Sequence, residues 1–186
     1  MRRGVGYLAG TGLLLLAFAV AYSTPDGDWI EGPMPARVQL GEEASVGSLV
    51  GTVHDVVLAR EVEADLTRLT TAGVWLVAEV TVAGTTERTG VHVEVLIGGV
   101  QYPATGRADG ASIDGGVVDA GLPRTGPTLV ELPADVADLP GASTAVLRIS
   151  PRFDSRLDGV IEVVVDLTAL DVADRVVVEG ARDGTR

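Results

Sequence analysis

Two stretches in the middle of the chain alternate so strictly that they set the secondary-structure class. Over residues 73–83, GVWLVAEVTVA, an extended backbone puts Val74, Leu76, Ala78, Val80 and Val82 on one side and Trp75, Val77, Glu79 and Thr81 on the other. Successive side chains of a strand point to opposite faces, so this segment reads as a half-buried strand. Residues 91–97 repeat the pattern, with Val91, Val93, Val95 and Ile97 inward and His92 and Glu94 outward, and AGTTERTG between the two supplies a turn. Valine occurs 30 times in the 186 residues, and its branched Cβ favours pleated strands over helices. Further strands are expected over residues 36–40, 48–59, 100–104, 128–132, 144–149, 160–167 and 175–179. The only helical candidates, 133–139 and 168–172, are too short for the crossovers that a parallel α/β fold requires. The expected class is therefore all-β, an antiparallel β-sandwich of about seven to nine strands.

The N-terminus follows different physics. Arg2 and Arg3 precede an uncharged run over residues 5–22, and the next charge is Asp26. At about 1.5 Å per residue such a run covers roughly 27 Å as a helix, close to a hydrocarbon core of about 30 Å. The arginines hold the N-terminus inside, and the acidic segment that follows is exported. The run is expected to be a retained single-pass signal-anchor with the C-terminal domain extracytoplasmic. The alternative is a signal peptide cleaved near Ala21, because Ala19-Val20-Ala21 has the small-x-small pattern. The expected organisation is thus 1–22 signal-anchor or signal peptide, 23–35 Pro/Gly linker, 36–179 sandwich and 180–186 frayed polar tail.

Composition removes several functions. With 14 basic against 26 acidic residues and a net charge of -12, the chain lacks the clustered cations that a nucleic-acid surface needs. There is no Cys, which excludes disulfides, thiolate nucleophiles and Cys-ligated zinc. Lys and Asn are absent too, so every basic residue is Arg and N-glycosylation is impossible.

Chemistry-bearing residues are sparse. His54 and His92 both fall in expected strands; His92 and Glu94 could offer two ligands to a metal, fewer than a stable zinc site takes. His54 is expected to share a face with Thr52, Val56 and Leu58, half-buried and hydrogen-bonded. No G-x-S-x-G elbow occurs, and Ser112 sits in a loop, so no nucleophile is indicated. An envelope hydrolase would require His54 or His92 to line a cleft beside a carboxylate. Glycine patterns for phosphate or dinucleotides are missing, and no cofactor is expected. In the glycine-rich loop 106–126, expected to be functional or mobile, Asp109, Asp114 and Asp119 recur every five residues beside Gly110, Gly115 and Gly116. Such acids and carbonyls can ligate calcium, which makes these three the calcium candidates, but Asp and Gly are also the ordinary turn formers, so plain loop chemistry and no metal is the expectation. Trp75, Tyr102 and Phe153 are expected to plug the core.

The run Gly73-Val74-Trp75-Leu76-Val77-Ala78-Glu79-Val80-Thr81-Val82, followed by Gly99-Val100-Gln101-Tyr102, Gly121-Leu122-Pro123 and Val130-Glu131-Leu132-Pro133, resembles a bacterial family of unknown function. Its members are exported or membrane-anchored proteins with a telokin-like, immunoglobulin-like domain, and the likeness spans about residues 49–167. It implies a sandwich whose Gly-x-Trp strand runs through the core, with the Tyr strand nearby and the Gly-x-Pro loop leading into the Glu-Leu-Pro strand. Many members carry a lipobox cysteine, which this chain lacks. No catalytic residues come with the resemblance. The functional expectation is an extracytoplasmic, membrane-anchored binding or assembly module of the cell envelope, not an enzyme, whose partner is an envelope protein met by a strand edge or by the 106–126 loop. The alternative is a secreted ligand- or calcium-binding sandwich.

Overall fold

The computed structural model describes residues 2–23 (through residue 11 as backbone), 32–64, 67–108, 110–153 and 157–184. The chain forms two units, Met1–Gly32 and Pro33–Arg186. In the first, helix α1 (Arg2–Ser23) coincides with the apolar run. Among the described residues no helix is long and apolar enough to cross a membrane, so the structure does not support the expected signal-anchor.

The second unit is a β-sandwich. In chain order its strands are β1 (Met34–Val38), β2 (Glu43–Val46), β3 (Leu49–Ala64), β4 (Thr67–Gly84), β5 (Thr89–Gly90), β6 (His92–Ile97) and β7 (Val100–Pro103). They continue as β8 (Val117–Val118), β9 (Arg124–Leu132), β10 (Ala145–Ser150), β11 (Gly159–Val165), β12 (Val172–Val178) and β13 (Arg182–Asp183). One sheet runs β1-β11-β10-β6-β7; the other runs β12-β3-β4-β9-β13 with β2 added on β3; β5 and β8 form a small ribbon. All nine expected strands exist. The expected helical segments contain only single 3-10 turns, Val136–Asp138 and Leu167–Ala169.

Alternation decides which side chains fill the space between the sheets. Leu76, Ala78, Val80 and Val82 of β4 and Leu49, Val53, Val56 and Leu58 of β3 meet Val93, Val95 and Ile97 of β6, Leu147 and Ile149 of β10, and Ile161 and Val163 of β11. Burying one such aliphatic side chain contributes about 1.5–3 kcal/mol, which is what holds the layers together. On the other face of the five-stranded sheet, register lines up an alternating ladder of charge. Arg37 Nε donates to Glu162 Oε2 at 3.2 Å, Arg148 Nη2 to Glu162 Oε1 at 2.7 Å, and Arg148 Nη1 to Glu94 Oε1 at 3.0 Å. Glu162 is buried because two guanidinium groups on neighbouring strands satisfy it.

Several expectations are corrected. The sandwich is not wholly antiparallel: β1 pairs β11 in parallel and β12 pairs β3 in parallel. Both are outer strands that lie far along the chain from the strand they pair with, and neither is a hairpin arm whose direction a tight turn would reverse. Nor is β4 half-buried, since Trp75 and Val77 on its outer face are as enclosed as the inner residues. A second apolar cluster lies there, made by Ala59, Val62, Ala64, Leu69, Trp75, Val77, Leu129 and Val178 and covered by Ala108 and Ala111. The cover belongs to the 106–126 segment, which is pinned rather than loose. Ile113 N donates to Pro127 O at 2.9 Å, Ala181 N donates to Ala111 O at 3.1 Å, and Ile113 and Val118 reach the main core. The tail expected to fray instead supplies β13, which pairs Arg182 with Thr125 and Asp183 with Arg124.

Candidate functional site

The structure scatters the residues singled out in the sequence. His54 is the extra residue of a bulge where the β3–β4 register slips between Val53 and Asp55. The bulge reverses the alternation, so Val53, Val56 and Leu58 all face the core and His54 does not share their face. It is half-buried and hydrogen-bonded, with Nε2 2.7 Å from Thr81 Oγ1. Thr81 Oγ1 lies 2.7 Å from Thr125 Oγ1, which donates to Gly184 O at 2.8 Å. A carbonyl only accepts, so the Thr125 proton is committed to Gly184, the Thr81 proton to Thr125, and His54 must donate from Nε2. The histidine is thereby a structural clasp on the C-terminal strand.

His92 lies beside two residue types of an acyl-transfer site. With Asp114, Ser150, Glu94 and Phe153 it lines a cavity of about 60 Å³. Among the described residues, no side-chain hydrogen bond joins His92 to Ser150 or to Asp114. Ser150 Oγ donates to Arg152 O at 2.7 Å, Asp114 Oδ1 accepts Val93 N–H at 2.7 Å, and Glu94 is held by Arg148. The space is far below the roughly 300–1,000 Å³ of a small-molecule site. Burial pushes the Asp114 carboxyl above its ordinary 3.8, against the lowering effects of the Val93 N–H, His92 and the Gly115 N–H. Asp114 thus anchors its loop to β6.

Of the other calcium candidates, Asp119 pairs with Arg88 at 3.6 Å, and Asp109 lies outside the described residues. Among the described residues, no group of three or more His, Asp or Glu side chains is placed to hold a metal ion. The aromatics divide three ways. Trp75 is fully buried in the outer cluster, with the Arg107 guanidinium 5.5 Å from its ring centroid. Tyr102 packs against the main core, whereas Phe153 is 84% exposed and plugs nothing, its ring edge-on to His92 at 6.1 Å.

A surface not visible in the sequence is the outer side of the six-stranded sheet near β12. A trough of about 360 Å³ runs there over Val57, Val77, Pro127 and Val176, bordered by Asp55, Glu79, Glu179 and Arg182. Arg182 spans the border, 2.7 Å from Glu179 and 3.9 Å from Glu79. Beside the trough, β12 is an outer strand of seven residues that pairs, among the described residues, only with β3. The other sheet ends are defended. β1 contains Pro35, β7 has four residues ending in Pro103, and β13 has two residues. By contrast β12 has no proline and shows Val177 at 67% exposure. Its outward row of backbone donors and acceptors can take one more strand, and the trough can take side chains from that strand. Edge exposure is a tertiary property, since it depends on which strand the sheet leaves last.

No protein-family model matches the chain, and no curated protein matches it. Among solved structures it is similar to an uncharacterized β-sandwich protein from Clostridium difficile, at 13% identity and a TM-score of 0.47, over 76% of this chain and 99% of that one. It is also similar to the yjhA protein from Bacillus subtilis, at 16% identity and a TM-score of 0.47, over 67% and 98%. A third likeness is to MPT63, a secreted protein from Mycobacterium tuberculosis, at 17% identity and a TM-score of 0.48, over 70% and 98%.

Proposed function

We infer that the chain is an extracytoplasmic recognition module of the cell envelope, held at the membrane by residues 5–22, which binds an extended segment of a partner protein along β12. The observation that carries this reading is the single long, proline-free outer strand among the described residues, lying beside a trough of apolar floor and charged border. Strand addition draws affinity from main-chain hydrogen bonds and selectivity from pockets for alternate side chains, and β12 with its trough supplies both. The 106–126 segment is the weaker surface for strand addition, because its Ala108, Ala111, Ile113 and Val118 are spent covering Trp75 and the core. Export and anchoring are supported by Arg2, Arg3 and the uncharged run that follows.

The test is site-specific photocrosslinking in intact cells. A crosslinker at Val177 should join the chain to one discrete envelope protein, while one at Val164, exposed on the five-stranded sheet, should not. Equal yields at both positions, or none at Val177, would overturn the strand-edge reading. The N-terminal peptide recovered from membrane and medium checks the anchor. A full-length membrane species is expected, and a chain beginning at Tyr22 in the medium would replace the anchor by cleavage.

A further inference from the structure

A second cleft, of about 520 Å³, shares no lining residue with the trough and lies between the 117–124 segment and the C-terminal strand. It is lined by Val117, Leu122 and Pro123 on the apolar side and by Arg88, Arg124, Asp119 and Asp183 on the polar side. Its walls are held in place. Gly84 N donates to Asp119 O at 3.1 Å, Gly121 N to Gly84 O at 2.9 Å, and Gly184 N to Pro123 O at 2.8 Å. Gly121 has φ +68°, a left-handed turn that sets Leu122 outward at 64% exposure.

Arg124 is the anomaly. In the sandwich, among the described residues, Arg37, Arg68, Arg88, Arg107, Arg148, Arg152, Arg175 and Arg182 all have a carboxylate partner. Arg60 has none and is exposed to water. Arg124 has none and is half-buried, and its Nε is shut off from solvent without an acceptor. In a chain with 26 acids against 14 bases, a partly desolvated cation left unneutralised is costly and calls for a ligand. Asp183 stands opposite Arg124 in the strand register but forms no ion pair with it.

We propose that this cleft binds the carboxylate of an apolar chain, with the terminal nitrogens of Arg124 taking the carboxylate and Leu122, Val117 and Pro123 taking the chain. A singly charged, planar anion matches a guanidinium by paired hydrogen bonds. A dianionic phosphate fits less well, because Asp119 and Asp183 would both repel it. The shared chemistry has two sources, a free organic acid or the C-terminal carboxylate of a peptide ending in an apolar residue. The proposal is independent of the β12 reading.

The test uses full-length protein in detergent, titrated calorimetrically with hexanoate, with an acetylated pentapeptide ending in leucine, and with the C-terminal amide of that peptide. At least one carboxylate should bind. The amide should bind about tenfold more weakly than the free peptide or not at all. Hexanoate binding more tightly than the peptide assigns the free acid, and the reverse assigns the peptide terminus. Arg124→Gln should lose about tenfold or more for the preferred ligand, and Asp183→Asn should gain a few-fold by removing the competing carboxylate. Leu122→Asp, at an exposed position where folding is safe, should also abolish binding and covers the case in which Arg124→Gln does not fold. No binding of either carboxylate, an amide equal to the acid, or unchanged affinity in Arg124→Gln or Leu122→Asp overturns the proposal.

Discussion

Asp114 carries a pH signature of its own. Its folded carboxyl titrates above the ordinary 3.8 because burial outweighs its hydrogen bonds. A carboxyl whose folded pKa exceeds its unfolded one binds protons more tightly in the native state. Its contribution is therefore favourable in acid and is lost as pH rises from the unfolded value through the raised one. Asp114→Asn keeps an acceptor for the Val93 N–H and drops the buried charge. It should match or exceed wild-type stability near neutrality, with the advantage vanishing below the ordinary carboxylate pKa, as read from urea midpoints across that range. Asp114→Ala leaves the Val93 N–H unpaired and should cost about 1–3 kcal/mol at either pH. At Glu162 the argument is charge pairing. Its side chain is 8% exposed and Arg148's is 13%, so Glu162→Ala takes two donor contacts from a buried guanidinium, leaves it Glu94 alone, and should cost about 2–3 kcal/mol in chemical denaturation. Neither role was legible in the sequence. Glu162 sits in a run of valines where alternation marks a strand face, but which cations flank it depends on strand order.

At the scale of elements, Gly73 is a place where backbone meets backbone. A Cβ there would stand 1.9 Å from Leu132 O, at the stretch of β4, residues 71–74, that has no partner on β3. Neither carbonyl nor ladder can yield, so Gly73→Ala should cost about 3 kcal/mol or more, visible as a lowered melting temperature or loss of soluble protein. The end of the chain is a second element with a definite role. Removing residues 182–186 deletes β13, the acceptor of the Thr125 hydroxyl and the Arg182 ion pairs. A loss of about 1–3 kcal/mol is expected, with faster amide exchange in β9 as the local readout. An exchange pattern in β9 equal to that of the full chain would show the C-terminal strand to be energetically idle. Two residues flanked by Gly, Ala and Thr carry no strand periodicity, which is why the sequence suggested a frayed end there. The same holds for the 106–126 segment, whose buried Ala108, Ala111, Ile113 and Val118 are spaced by loop geometry and not by a pleat.

The whole sandwich is tied together by contacts distant in sequence, such as Met34 with Gly159 and Val172 with Leu58. The two apolar clusters share β3, β4 and β9 as their common wall, so neither should survive the loss of the other. The chain has two tryptophans, Trp29 and Trp75, so in a Trp29→Phe background Trp75 fluorescence and far-UV circular dichroism should report one coincident unfolding transition. An earlier fluorescence transition would make the outer cluster a separate unit. What the sequence by itself determined was the strand class, the nine main strands, the inward faces of β4 and β6, and the N-terminal helix. Each of these rests on short-range periodicity or on a contiguous apolar run. What only the tertiary structure decided was the parallel outer strands, the covered outer face of β4, the long proline-free edge at β12 and, among the described residues, the unneutralised Arg124. Those are settled by which segments arrive last and lie across others, and side-chain alternation along one strand holds no record of its neighbours.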